Sequence, residues 1–126
     1  MTPTLYHFTC DHAWALLGNA GKLRPARDQT TTLPDNWWPA DYVWVTDLAH
    51  PIRDALGLTN TLGAPAVCDR TAHRYRVTDT ADCVPWTVVR RTVQNPGLLE
   101  SAPGVRPRHW WVSPHWVPVV YDPLGH

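Results

Sequence analysis

Apolar and polar positions along this 126-residue chain change period every few residues, so the elements they predict are short. Residues 5–9 (LYHFT) are rich in aromatic and β-favouring side chains and predict a first strand. Asp11 stands where a helix N-cap is expected, and Ala13, Trp14, Leu16 and Leu17 then share one face of a short helix. Gly18, Asn19 and Gly21 mark its end, and residues 23–25 extend briefly. Residues 27–40 are polar, contain Pro34 and Pro39, and form a loop long enough to suggest a functional segment such as a lid.

The clearest strand is 42–46 (YVWVT). A short helix is expected after Pro51, within 47–58, followed by a loop through Gly63 and Pro65. Residues 71–78 alternate as a strand does, with Arg74 and Arg76 on one side and His73, Tyr75 and Val77 on the other. Residues 86–93 (WTVVRRTV) read as a further strand, 95–107 as turns, and 110–113 and 117–121 as closing strands. Five or six short strands with one or two short helices predict a single α+β domain over residues 1–126, built on a small, bent, split β-sheet or sandwich. The 13 prolines limit strand length and favour edges and loops.

Charge narrows the function classes. Eleven basic and eleven acidic side chains balance, which argues against a protein held on the DNA backbone or on an anionic membrane by excess positive charge. Lys22 is the only lysine and Glu100 the only glutamate, so chemistry that needs a glutamate has one candidate. Three cysteines, Cys10, Cys68 and Cys83, without a C-x-x-C pair indicate neither a disulfide framework nor a redox motif. No apolar run approaches a membrane span and no signal-peptide pattern opens the chain, so a cytoplasmic protein is expected.

Four constellations carry possible chemistry. His7 and Thr9, two apart on a strand, present an imidazole and a hydroxyl to one side; alone, H-x-T is also what a half-buried histidine bonded to a carbonyl looks like. His7, Cys10, His12, Cys68 and His73 are zinc-ligand types, but their spacing matches no standard zinc pattern, and no metal is expected. Cys68 beside Asp69 and Arg70 has no local signature of a nucleophile. Arg74-Tyr75-Arg76 and Arg90-Arg91, with the tryptophans, suit contact with a single strand or a nucleotide end. Eight tryptophans, six of them in or near two groups (Trp37, Trp38 and Trp44; Trp110, Trp111 and Trp116), serve either as core packing or as walls for a flat ligand.

The order of LYHFT, a helix, Gly21-Lys22-Leu23, a loop and YVWVT resembles the amino-terminal half of the ADP-ribosyltransferase superfamily, in the H-x-T branch that includes RNA 2′-phosphotransferases and DarT-type enzymes. The closing RHWWVSPHWVPV is similar to that family's last strands. The resemblance implies an ADP-ribosyltransferase-like fold, NAD as substrate, and transfer of ADP-ribose to a nucleic-acid, nucleotide or protein acceptor. It implies that His7 and Thr9 seat NAD, with Gly21 and Leu23 matching the G-x-L after the helix, and Tyr42 or Trp44 stacking on nicotinamide. Arg53, Arg74 or Arg76 is expected at the pyrophosphate.

One departure stands out. In DarT-type enzymes the catalytic glutamate directly precedes the late apolar strand, where this chain has His109; the phosphotransferase branch is similar instead to an arginine and histidine constellation. The catalytic role is therefore expected of Glu100, folded into the site by the 95–107 turns, or of His109, with Arg53 beside them. Two alternatives follow: an inactive domain of the same fold that binds a nucleotide or a protein partner, and a small interaction protein whose tryptophan clusters are its contact surface.

Overall fold

A computed structural model describes residues 2–29, 32–35, 37–52, 55–56 and 69–124. Seven strands form one antiparallel sheet: β1 (Tyr6–Thr9), β2 (Ala20–Leu23), β3 (Val43–Thr46), β4 (His73–Val77), β5 (Val84–Pro85), β6 (Trp110–Ser113) and β7 (Val117–Tyr121). Their order across the sheet is β2-β7-β4-β1-β3-β6-β5. Three short helices accompany them: α1 (Asp11–Leu17), α2 (Trp86–Val89) and α3 (Gly97–Glu100). The α+β class is as the sequence predicts, and no helix among the described residues is long and apolar enough to cross a membrane.

Strand register assigns each side chain to a face. His7 lies opposite Tyr75 and Thr9 opposite His73, so these four share one side, here the first face. That face carries a core of Leu5, Val43, Val45, Tyr75, Val77, Val117 and Val119, closed by Leu17 of α1 and Leu23 of β2. The second face carries Trp44 opposite Val112 and Thr46 opposite Trp110. Over it, Trp86, Trp110 and Val112 form another core with Trp38, Trp44, Val89 and Leu99 against them. The two cores thus lie on opposite faces of the sheet.

Local departures from the sequence expectations have physical reasons. Asp11 is the first helical residue and not the cap; Cys10 holds the cap position, its side chain making no capping bond, and the Asp11 carboxylate is bonded to His73. Residues 86–89 of the expected 86–93 strand are helical. Pro85, with φ −60°, starts the turn, and Trp86, Val89 and Val93 meet the second core at i, i+3 and i+7. The β-branched composition masked this helical period. Turns were expected at 95–107, and α3 is a single helical turn within them. The expected helix after Pro51 falls largely outside the described residues, as do Arg53 and Cys68.

Two contacts fasten α1 to the sheet. Gly21 lies against α1: a Cβ there would stand 2.6 Å from Leu17 Cδ1, so a larger residue would require the Leu17 side chain to move. Tyr75, fully buried, donates its hydroxyl to the Gly18 carbonyl at 2.6 Å, and Gly18 itself ends α1 with φ 71°. Tyr75→Phe keeps the ring and deletes this bond. It is expected to lower the melting temperature by about 3–6 °C, the shift for loss of about 1 kcal/mol from a domain of this size, as read by circular dichroism.

Candidate functional site

β1 and β3 share one registered pair, Tyr6 opposite Thr46, and then part. Across the gap His7 Nδ1 stands 2.8 Å from the Trp44 carbonyl. A carbonyl oxygen only accepts, so Nδ1 carries the proton and donates. In the neutral ring Nε2 is then an acceptor. Burial pushes the His7 pKa below its ordinary 6.5 despite the opposing bond to Trp44, so the neutral ring is the form at neutral pH.

The parting strands open a cleft with two chambers. One, of about 720 Å³, lies mainly on the second face, walled by Phe8, Trp37, Trp44, Thr46 and Trp110, with Arg70 among its residues. The other, of about 480 Å³, lies mainly on the first face between α1, β2 and β3, walled by Leu16, Leu17, Leu23 and Tyr42. Each has the size of a small-molecule site. His7, Thr9 and Trp44 belong to both walls, so H-x-T stands where the chambers meet. Thr9 is 9 % exposed, and neither its hydroxyl nor His7 Nε2 has a hydrogen-bond partner among the described residues. Among those residues no side-chain nitrogen or oxygen sealed from solvent lacks a partner, so both groups open to the cleft.

The aromatic wall is rigid. Trp38 stacks on the buried Trp86 with ring centroids 5.2 Å apart and planes 11° from parallel. Trp44 contacts Trp86 at 5.2 Å and meets Trp110 edge-on at 6.0 Å. The Trp44 indole N–H donates to the Pro39 carbonyl at 2.8 Å, and that of Trp110 to the Ala55 carbonyl at 2.9 Å. Arg27 bonds Asp41 and the carbonyls of Pro34 and Trp37, which fixes the turn carrying Trp37 and Trp38. Trp86 and Trp110 are core, and Trp110 also walls the larger chamber together with Trp37 and Trp44.

The other sequence candidates are distributed differently. Leu23 and Tyr42 reach the smaller chamber, and Gly21 is placed for packing. Arg74 lies over the Tyr6 ring and bonds the Ala49 carbonyl and Asp122. Arg76 is exposed on the second face, and neither arginine lines a chamber. Arg70, which the sequence offered only as a neighbour of Cys68, is the arginine among the described residues at the larger chamber; its place depends on how the chain enters β4 and has no local signal.

Glu100 lines neither chamber. Its carboxylate takes two bonds from Arg90 Nε, at 2.9 and 3.1 Å, one from Arg90 Nη2 at 3.0 Å, and one from the Trp86 indole N–H at 3.2 Å. The Arg90 bonds, more than the opposing burial, hold its carboxyl below the usual range, with the Trp86 bond adding to them. The turns do fold Glu100 inward, but behind the tryptophan wall, where it ties α2 to α3. His109 donates from Nδ1 to Asp47 Oδ1 at 2.7 Å while its Nε2 accepts from Arg108 Nε at 3.2 Å. The pair stands at the end of the β3–β6 ladder, one residue beyond Thr46 and Trp110 of the larger chamber, and Asp47 had no sequence signal as its partner. Among the described residues no carboxylate lines either chamber, and no three His, Cys, Asp or Glu side chains converge as metal ligands.

Glu100→Gln is expected to lower the melting temperature by about 3–6 °C through loss of the paired carboxylate. Because its folded pKa is depressed, the stability Glu100 contributes is present above the unfolded carboxyl pKa and is lost as pH falls through the folded one. Melting curves across the acid range should therefore converge for wild type and variant at the lowest pH, and parallel curves at every pH would contradict this role.

The chain matches no protein-family model, no curated protein and no solved structure, so the geometry of the cleft carries the functional reading.

Proposed function

We propose that this cleft binds NAD, in an ADP-ribosyltransferase-like domain whose reaction is transfer of ADP-ribose to a nucleic-acid, nucleotide or protein acceptor. The observation that carries the reading is the pair of unpartnered polar groups, His7 Nε2 and the Thr9 hydroxyl, at the wall both chambers share. A neutral His7 accepts a hydrogen bond at Nε2, and Thr9 both donates and accepts. A ribose diol or a carboxamide offers this complement. The flat faces of Trp37, Trp44 and Trp110 suit an aromatic ring, and Arg70 suits a phosphate oxygen.

Transfer requires cleavage of the nicotinamide–ribose bond, with positive charge developing on the ribose. A nearby carboxylate is the group best suited to stabilise that charge. Glu100 is bonded to Arg90 and Trp86, and no described carboxylate lines the chambers. This favours a second reading, a domain of the same kind that binds the nucleotide without turning it over. Calorimetry with NAD and an assay for released nicotinamide separate the two. Binding with release supports the transferase, binding without release supports the second reading, and no binding removes both.

His7→Ala and Thr9→Ala are each expected to weaken NAD binding by about five- to tenfold, the loss of one hydrogen bond of about 1–1.5 kcal/mol, with unchanged binding contradicting the seat. Wild-type affinity should also depend on pH. A ligand donating to Nε2 needs neutral His7, so affinity stays flat above the His7 pKa and falls as pH drops through it. Burial sets that pKa below 6.5, so the fall lies on the acid side of that value, and His7→Ala should lack it.

A further inference from the structure

The two ends of the sheet are treated differently. β5 is two residues long, ends in Pro85 and passes at once into α2, so it offers almost no edge. β2, at the other end, pairs with β7 alone, and among the described residues its outer edge has no strand partner. The register fixes which groups face outward. Asn19 accepts from the Tyr121 N–H at 2.7 Å, so the hydrogen-bonded positions of this antiparallel ladder continue at Gly21 and Leu23. Ala20 and Lys22 occupy the alternate positions, and their N–H and C=O groups point away from β7. Pro118, which has no N–H to give, lies opposite Lys22, as that assignment requires.

Beside this edge is the smaller chamber, which Lys22, Leu23, Arg24 and Leu16 help to line. Leu16 is 91 % exposed, an unusual position for a leucine next to an apolar hollow. Neither Lys22 nor Arg24 forms a salt bridge among the described residues, and no acidic side chain lines the chamber. Arg24 lies over the half-exposed Trp116 ring, 5.5 Å from its centroid.

We infer that the outer edge of β2 is a docking site for an extended acidic segment of a partner protein, which adds to the sheet as an eighth strand. Main-chain bonds to Ala20 and Lys22 supply the pairing. Partner residues opposite Lys22 lie on its side of the sheet, where an Asp or Glu pairs with the ammonium group. The alternate partner residues lie on the side of α1 and the smaller chamber, where aliphatic side chains meet Leu16. The recognised pattern is therefore acid alternating with aliphatic. A second copy of this chain is a poor occupant, because its β2 edge presents the same Lys22 and no acidic side chain to pair with it.

The test uses the full chain and a phage-displayed library of random linear peptides about eight residues long. Selected peptides are expected to alternate Asp or Glu with Val, Ile or Leu. A selected peptide, labelled and followed by fluorescence anisotropy, should bind Lys22→Glu about tenfold more weakly, as attraction becomes repulsion. Lys22→Pro removes an outward N–H without touching the β7 ladder and should weaken binding comparably. Amides of Ala20 and Lys22 should gain hydrogen-exchange protection when the peptide is present, which decides the matter even if Lys22→Pro fails to fold. A library that yields no binder, binders without acidic residues, affinity within twofold for Lys22→Glu, or protection elsewhere would each overturn the inference.

Discussion

Between β1 and β3 the main chain supplies one registered pair, Tyr6 opposite Thr46, and the next link across the gap is the imidazole of His7 donating to the Trp44 carbonyl. β1 is held to β4 over four registered pairs and β3 to β6 over four, so each strand has its main ladder on the side away from the other. β3 turns Val43 and Val45 into the aliphatic core and Trp44 toward the aromatic one. A continuous ladder would close the gap and leave no cleft. The His7 ring spans it while keeping its second nitrogen open to the chambers on either side. One side chain thus joins the halves of the sheet and lines the cleft between them.

The aromatic core gives that site a fixed wall. Trp38, Trp44, Trp86 and Trp110 brace one another, and each cleft-facing indole of Trp44 and Trp110 is held by a bond from its N–H to a backbone carbonyl. Glu100 belongs to this support: it receives the Trp86 N–H and the Arg90 guanidinium from behind. A carboxylate so engaged fastens α2 to α3 and is turned away from the ligand space. The consequence is a cleft that is aromatic, reachable at His7 and Thr9, and without a described carboxylate in its walls.

A different bond network sits on the first face at the start of α1. His73 is bonded on one nitrogen to Asp11 and on the other, at 2.8 Å, to the Tyr121 hydroxyl, with Trp14 stacked on its ring at 4.8 Å. Together with Tyr75 and Gly21 it fixes α1 against β4, β7 and β2. The chamber walls formed by Leu16 and Leu17 therefore stand on a helix only seven residues long that could not hold its conformation alone.

The sequence by itself determined the α+β class, five of the seven strands described, α1 with its glycine end, and the H-x-T pair on β1; β2 begins within the residues read as the end of α1, and β5 had no signal. The features it determined are local: alternation, a proline or a glycine, and two polar residues two apart on a strand are properties of neighbouring residues. It misread 86–89 because tryptophan and valine favour strands in isolation, and only the second core shows that Trp86, Val89 and Val93 follow a helical period. Distance decided the rest. That Asp47 meets His109 across 62 residues, that Arg70 reaches the larger chamber, and that Glu100 closes on Arg90 behind a tryptophan wall depend on strand order and on the parting of β1 from β3. No local pattern encodes strand order in a sheet of short strands, because each pairing is selected by which apolar face finds a core, and that choice is made by the whole chain at once.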